Sequence, residues 1–505
     1  MIRLRPGQLK SAKSPSQPFV RLSRSAGLKG SPTGPFFSTL SSVPFHYNRR
    51  KLSQNTKMDL KVSTLSEWTS DFKQDKVSLL AGTVLRQADA DEVLINRDAY
   101  IKHLSNIYSH KIEQEGSPIT SQKASGRCWL FAATNCLRIP MMKRYNLKTF
   151  QLSTSFLFFY DKLEKCNFFL DQISDTYKED VDSRLVQFLL DDPTCDGGQF
   201  DMFINIVDKY GLVPNTVFPD TFNTTLSRKL NWMLKTKLRE FAEILREDLA
   251  AGKPIDAVKA SMQRELHKYM CMYLGTPPGP NDEFLWEYED KDGKYHSLKS
   301  TPIKFLKESV EFDSSNFVSL LNDPRNEYDK LVKIDRLGNV VGAPTVSYLN
   351  VDIKKFTEAA VDRIKKGKPV FFGSHTPIYM DRKRGYMDQD LWSYDLIGFK
   401  TEQTKASRVR YHQSLMTHAM VLTAVHLNEE GKPVRWRVEN SWGKDVGFDG
   451  YFIMTQEYLE DYVYQVVVEK SDLPANILKI EQDPSPIVLP PYDPMGALAT
   501  FRTED

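Results

Sequence analysis

A chain of 505 residues, 41% hydrophobic and 26% charged, has the composition of an ordinary globular protein with room for about two to four domains. A formal net charge of +3 does not point to a dedicated nucleic-acid or anionic-membrane binder, and there is no long apolar run to read as a transmembrane helix or secretory signal. Five cysteines (Cys128, Cys136, Cys166, Cys195, Cys271) form no CxxC pair and no zinc-type Cys/His spacing, so thiols rather than disulfides are expected, with no metal and no cofactor.

Residues 1–57 are Ser-rich and basic. The first 58 positions hold eleven Lys or Arg and no Asp or Glu, the composition of a mitochondrial presequence. Met58 can start a second, cytosolic product, so both cytoplasm and mitochondrion are expected. Residues 58–225 read as a helical half. Within them Gln122 stands six residues before Cys128, and Cys128 opens a segment whose apolar residues recur at helical spacing (Phe131, Ala132, Cys136, Ile139). Pro140 interrupts that pattern, so a kink or a new segment is expected there. A second helix is predicted over Ser155–Leu170.

A helical insertion is expected over 226–340. Leu230, Met233, Leu234, Leu238, Phe241, Leu245 and Leu249 recur at three- and four-residue steps, Gly252 and Pro254 break the block, and it resumes from Ile255 to Leu274. Residues 341–480 turn to strand patterns: Val370–Gly373, His418–Leu427, Val434–Val438 and Gly450–Met454. Residues 481–505 form a carboxy-terminal arm. The fold class that follows is α+β, with helices in one half, an antiparallel sheet in the other and the site between them.

The chemistry centres on Cys128. Its thiol has an ordinary pKa of about 8.5, and a helix amino terminus with a nearby imidazolium can lower it by several units. Cys136, Cys166, Cys195 and Cys271 read as inert buried thiols. His418, at the mouth of an apolar strand, is the expected base, with His375 as second choice and His412 and His426 behind it. Asn440 is expected to bond the far ring nitrogen and fix its tautomer, with Trp442 shielding that bond. Gln122 would donate to the oxyanion together with the Cys128 N–H.

The order Gln122, Gly126-x-Cys128-Trp129, His418, Asn440-Ser441-Trp442-Gly443 resembles the papain-type cysteine peptidases. Cys195-Asp196-Gly197-Gly198 resembles their Cys-Asn-Gly-Gly run, which implies that Gly197 and Gly198 contact a peptide substrate. Arg127 stands where those enzymes carry a small residue. Ser125 stands where secreted relatives place a cysteine that pairs with the Cys195 position, so that disulfide is unavailable. Cys128 and His418 are 290 residues apart, against about 130–150 in papain-like enzymes, an excess that the insertion accounts for.

The runs Ser125–Ala132, Leu157–Glu164, Ser414–Met420, Arg437–Lys444 and Asp493–Leu498 are similar to the bleomycin hydrolase family, over about residues 65–499. That resemblance implies a papain-like core, a homohexamer with inward-facing sites, and removal of single amino-terminal residues from peptides. It also implies hydrolysis of the bleomycin carboxamide and of homocysteine thiolactone. In the family the tail lies in the cleft and its terminal carboxylate meets the substrate ammonium; here Ala499 fits that position, and self-trimming after it is expected. The rival expectations are a hexameric nucleic-acid binder with a residual peptidase fold, carried by the basic residues Arg228, Lys229, Lys235, Lys237 and Arg239, and a catalytically inactive chamber.

Overall fold

A computed structural model describes residues 59–497; the presequence expected over 1–57 and the Ala499 position both lie outside them. The chain divides into two compact units, residues 1–70 and 71–505. In the first, the described residues open a helix that begins at Val62. The second holds the elements that build the site.

The helical half is built around the helix Cys128–Arg144, which continues through Pro140. Pro140 lies on the solvent side of the helix, where its missing N–H costs one ladder bond. The helix Thr154–Asp175 packs against it. Ser153 caps that helix by accepting the Phe156 N–H at 3.0 Å. The long helix Arg228–Ala250 buries the stripe Leu230, Leu234, Leu238, Phe241 and Leu245, as its spacing predicts, and Asp256–Leu274 buries Met262, Leu266, Met270 and Leu274; both pack on Thr154–Asp175. Gly252 makes the turn between them at φ +69°, a backbone state that disfavours any side chain.

The sheet half is one twelve-stranded sheet. Its order is Ile487–Leu489, Lys330–Ile334, Ser347–Asn350, Phe317–Leu321, Val463–Glu469, Val370–Ser374, His418–Leu427, Pro433–Glu439, Tyr451–Thr455, Tyr386–Met387 and Met380–Asp381, with His110–Lys111 also pairing on His418–Leu427. The central pairs are antiparallel; three towards the edges are parallel. This is the α+β papain-like architecture expected, and the four predicted strands lie within a residue or two of the observed ones.

One boundary needs correction. The segment 281–340, assigned to the helical insertion, carries four strands, with only short helical turns at Pro302–Val310 and Ser314–Asn316 between them. Phe284–Glu289 and Tyr295–Ser300 form a hairpin, and Phe317–Leu321 and Lys330–Ile334 join the main sheet. The hairpin follows from Phe284, Trp286 and Tyr288 alternating on one face, a period of two rather than 3.6.

Candidate active site

The loop before Cys128 is clamped from both halves. Gln122 N–H donates to the Ser441 carbonyl at 2.8 Å, and Ala124 N–H to Thr225 O at 2.9 Å. Gly126 is required by close approach: a Cβ there would stand 2.7 Å from the Cβ of Asp196. The Arg127 guanidinium points into the protein. It grips Asp220 at 2.7 and 3.3 Å and donates from Nε to Ser125 Oγ at 2.9 Å. The arginine that departs from the small residue of papain-type enzymes is thus buried and paired, and it braces Ser125. Since its side chain makes no capping bond, the first N–H groups of the helix are left facing the thiol.

Gln122 is held by its amide. Nε2 donates to the Ser125 carbonyl at 2.7 Å and Oε1 accepts the Ser441 hydroxyl at 2.7 Å. A carbonyl can only accept, so the nitrogen is assigned, and the second hydrogen of Nε2 is available to an oxyanion. Asn440 is assigned in the same way. Its Oδ1 accepts the Ser441 backbone N–H at 2.8 Å and lies 2.8 Å from His418 Nε2. Nε2 therefore carries the proton, and Nδ1 is the basic nitrogen. The imidazole stacks on Trp442, with centroids 4.7 Å apart and 22° between planes, and the Arg382 guanidinium also lies over that indole, 4.0 Å from a ring centroid.

His418 opens the strand that packs on the Cys128 helix. The thiol faces the backbone N–H of the next residue, Ala419, which favours its charged form, as do the N–H groups of Trp129 and Cys128 itself. Burial outweighs them and pushes the thiol up to about 12. Burial also pulls His418 down to about 4; the Asn440 bond opposes this and Arg382 adds to it. Each charge alone is costly in this dry site. In such surroundings a proton passed from a thiol to an imidazole creates both charges at once, and each then offsets the other.

The strand Pro433–Glu439 delivers Asn440, and a buried pair fixes where it ends: Arg138 Nη2 holds Glu439 Oε1 at 2.8 Å. The other histidines stand elsewhere. His375 is buried, with Nδ1 3.0 Å from the Leu415 carbonyl; His412 is exposed; His426 is half-buried at the far end of the His418 strand.

The Gly197–Gly198 run forms the wall beside the thiol. A Cβ at Gly198 would meet the Trp129 ring at 2.5 Å, and Trp129 Nε1 donates to the Asp196 carbonyl at 2.8 Å. Lys165 Nζ donates to Gly197 O at 2.6 Å. Asp196 itself, which sequence reasoning left without a role, ties this wall together. Its carboxylate receives Lys162 Nζ at 2.8 Å, Asn231 Nδ2 at 2.8 Å, the Gly126 N–H at 3.1 Å and the Ser227 hydroxyl. Burial opposes its charge, but Lys162 and these donors hold it far below the usual carboxylate range. Lys165 pairs with Asp161 one turn back on the same helix, which leaves Lys162, fully buried, as the cation that called for such a partner.

A thiol at a helix start, an imidazole oriented by an asparagine and a glutamine amide beside them, set between a helical and a sheet half, define a papain-like cysteine peptidase. The sequence profile of the Peptidase C1-like family matches residues 59–496. Cysteine proteinase 1, mitochondrial, of Saccharomyces cerevisiae is 50% identical over 447 residues, 87% of this chain and 92% of that protein. Bleomycin hydrolase of Mus musculus is 42% identical over 454 residues, 87% of this chain and 98% of that protein. A crystal structure of PepW from Lactobacillus rhamnosis superposes with a TM-score of 0.85 at 37% identity, covering 88% of this chain and all of that one. The chain belongs to the Peptidase C1-like family, with the bleomycin hydrolases among its relatives, and is a cysteine peptidase.

Proposed function

We propose that the protein is a cysteine aminopeptidase that removes single residues from the amino terminus of peptides. Cys128 Sγ attacks the carbonyl of the first peptide bond while His418 Nδ1 takes the thiol proton. The tetrahedral oxyanion accepts the free N–H of Gln122 Nε2 and the backbone N–H of Cys128, and loss of one such donor typically costs about 2.7–4 kcal/mol of barrier. The imidazolium then returns its proton to the leaving amine. Water, deprotonated by the same nitrogen, hydrolyses the thioester and restores the thiol. Asn440 holds the ring, and Gly197 and Gly198 offer backbone to an extended substrate.

The observation that carries the restriction to one end is the position of the arm. Gln199 Nε2 donates to the Ala497 carbonyl at 3.0 Å, and Gln199 directly follows the glycine that rests on the Trp129 ring. Ala497, the last described residue, thereby stands next to the wall that carries Trp129, and in this reading the Ala499 position is where a substrate's ammonium group would be met. The test compares an aminoacyl amide with its acetylated form. Turnover of the free amine and little of the blocked one supports the proposal; rapid cleavage of acetylated peptides contradicts it.

Bleomycin carboxamide and homocysteine thiolactone place an acyl carbon beside a free amine, so they fit the same site. The homohexamer and a mitochondrial form set by residues 1–57, with a cytosolic form starting at Met58, belong to this reading. Gel filtration with light scattering and amino-terminal sequencing from each compartment test them. The nucleic-acid alternative gains little: Lys235 pairs with Asp192, Lys237 with Glu240 and Glu265, and Arg239 with the Leu190 and Asp191 carbonyls.

A further inference from the structure

The carboxy-terminal arm is held by more than packing. At its root the Asp493 carboxylate receives both Nη1 and Nη2 of Arg325, at 3.1 and 2.7 Å. The same guanidinium grips Asp323 through Nε at 3.0 Å and Nη2 at 2.8 Å, so it is fixed from both sides. Asp493 also accepts the Met495 N–H at 2.8 Å and so caps the turn Pro494–Gly496. Met495 is fully buried behind it. At the far end stands the Gln199 amide, on a side chain only 1% exposed, bonded to Ala497 O.

Chain termini fray unless tied down. A planar two-point bond to Arg325 and a buried amide donor at Ala497 are directional, whereas the apolar contacts between them are not. Directional bonds fix where the chain stands along its own axis. One residue of extended backbone is about 3.3–3.6 Å. That is also the difference between a cleft that leaves room for one residue ahead of the attacked bond and a cleft that leaves room for two. Gln199 is joined through Gly198 to the Trp129 ring beside the nucleophile, so the arm is measured from Cys128 itself.

We propose that Gln199 and Arg325 are positioning residues that set the register of the carboxy-terminal arm against Cys128, and thereby the number of residues released at each cleavage. The inference rests on the aminopeptidase reading. Neither residue touches the reacting atoms; each acts through the arm.

The test uses the full chain and three fluorogenic amides: a free aminoacyl amide, its acetylated form and a free dipeptidyl amide. Gln199→Glu keeps the side-chain shape but sets oxygens against the Ala497 carbonyl. Arg325→Lys keeps the charge and loses the fork. The three substrates are compared as ratios within each variant, so the amount of folded enzyme cancels. In each variant kcat/KM for the dipeptidyl and acetylated substrates is expected to rise relative to the aminoacyl substrate by about 10-fold, the size of one buried polar bond lost. If both variants keep the substrate ratios of the unmodified enzyme within about 2-fold, the assignment is overturned, whatever happens to total activity. If the unmodified enzyme itself cleaves acetylated and free substrates alike, the aminopeptidase reading fails and takes this one with it. The two failures are therefore distinguishable.

Discussion

Replacing Asn440 with alanine removes the one side-chain oxygen that meets both the His418 ring at 2.8 Å and the Ser441 N–H at 2.8 Å. Both residues are buried, at 1% and 5% exposure, so water does not take over the lost bond. In the transition state the ring is an imidazolium, and a hydrogen bond to a charged group contributes about 1.5–3 kcal/mol. At 1.36 kcal/mol per tenfold, Asn440→Ala should lower kcat/KM by about 10- to 150-fold. The Trp442 stack survives, which is why the loss should stop there rather than reach the level of Cys128→Ala. The pH profile gives a second, independent reading. The Asn440 bond raises the His418 pKa, so its removal should move the acidic limb to lower pH, and Asn440→Asp, which adds a negative charge, should move it to higher pH. Initial rates on a fluorogenic aminoacyl amide, taken from about pH 3 upward in brief assays, measure both. A loss in kcat/KM under about 3-fold, or an acidic limb that rises in Asn440→Ala, would refute the role given to Asn440.

Removing one partner of a buried ion pair typically costs about 3–5 kcal/mol. Arg127→Ala should sit near the lower end, because the side chain of its partner Asp220 is 33% exposed. Urea midpoints of the single and double variants give the coupling, which should exceed about 1 kcal/mol; simple additivity would show that the pair does not brace the loop. Gly198→Ala puts a methyl group 2.5 Å from the Trp129 ring, so it should cost about 1–3 kcal/mol of stability and displace the wall beside Cys128. Normal kcat/KM in that variant would contradict the close approach. His418 and His375 both have folded pKa values near 4 against an ordinary 6.5, with burial the first cause in each. Their contribution to stability is complete above about pH 6.5 and is lost as pH falls toward 4, because the unfolded chain binds protons that the folded one excludes. Each is worth about 3 kcal/mol over that window. His375→Phe should flatten the fall of the urea midpoint between pH 7 and 4; an unchanged slope would show that His375 does not contribute.

The helices of the long insertion and the four central strands were legible because each buries one face, and burial of one face writes its period into the sequence. The hairpin Phe284–Ser300 and the strands Phe317–Leu321 and Lys330–Ile334 were hidden, since short alternating runs between turns carry a weak signal beside a strong helical block. Residue type and order picked out Gln122, Cys128, His418 and Asn440 as candidates. What joins them was not visible. Ser441 bonds Gln122 and Asn440 at once, Arg127 reaches Asp220 through the interior, and Asp196 gathers Lys162, Ser227, Asn231 and the Gly126 N–H. Apart from the bond between the neighbours Ser441 and Asn440, these link positions tens to hundreds of residues apart, and no local pattern records them.

The central claim is that Cys128 is the nucleophile of an enzyme that acts on free amino termini. Treatment with a radiolabelled aminoacyl chloromethyl ketone carrying a free amine, followed by fragment mass mapping, tests it most directly. Inactivation should follow the appearance of one adduct on Cys128, with Cys136 in the same tryptic fragment unmodified, and the acetylated reagent should react far more slowly. Inactivation with Cys128 unlabelled, or equal reaction of the acetylated reagent, would contradict the account.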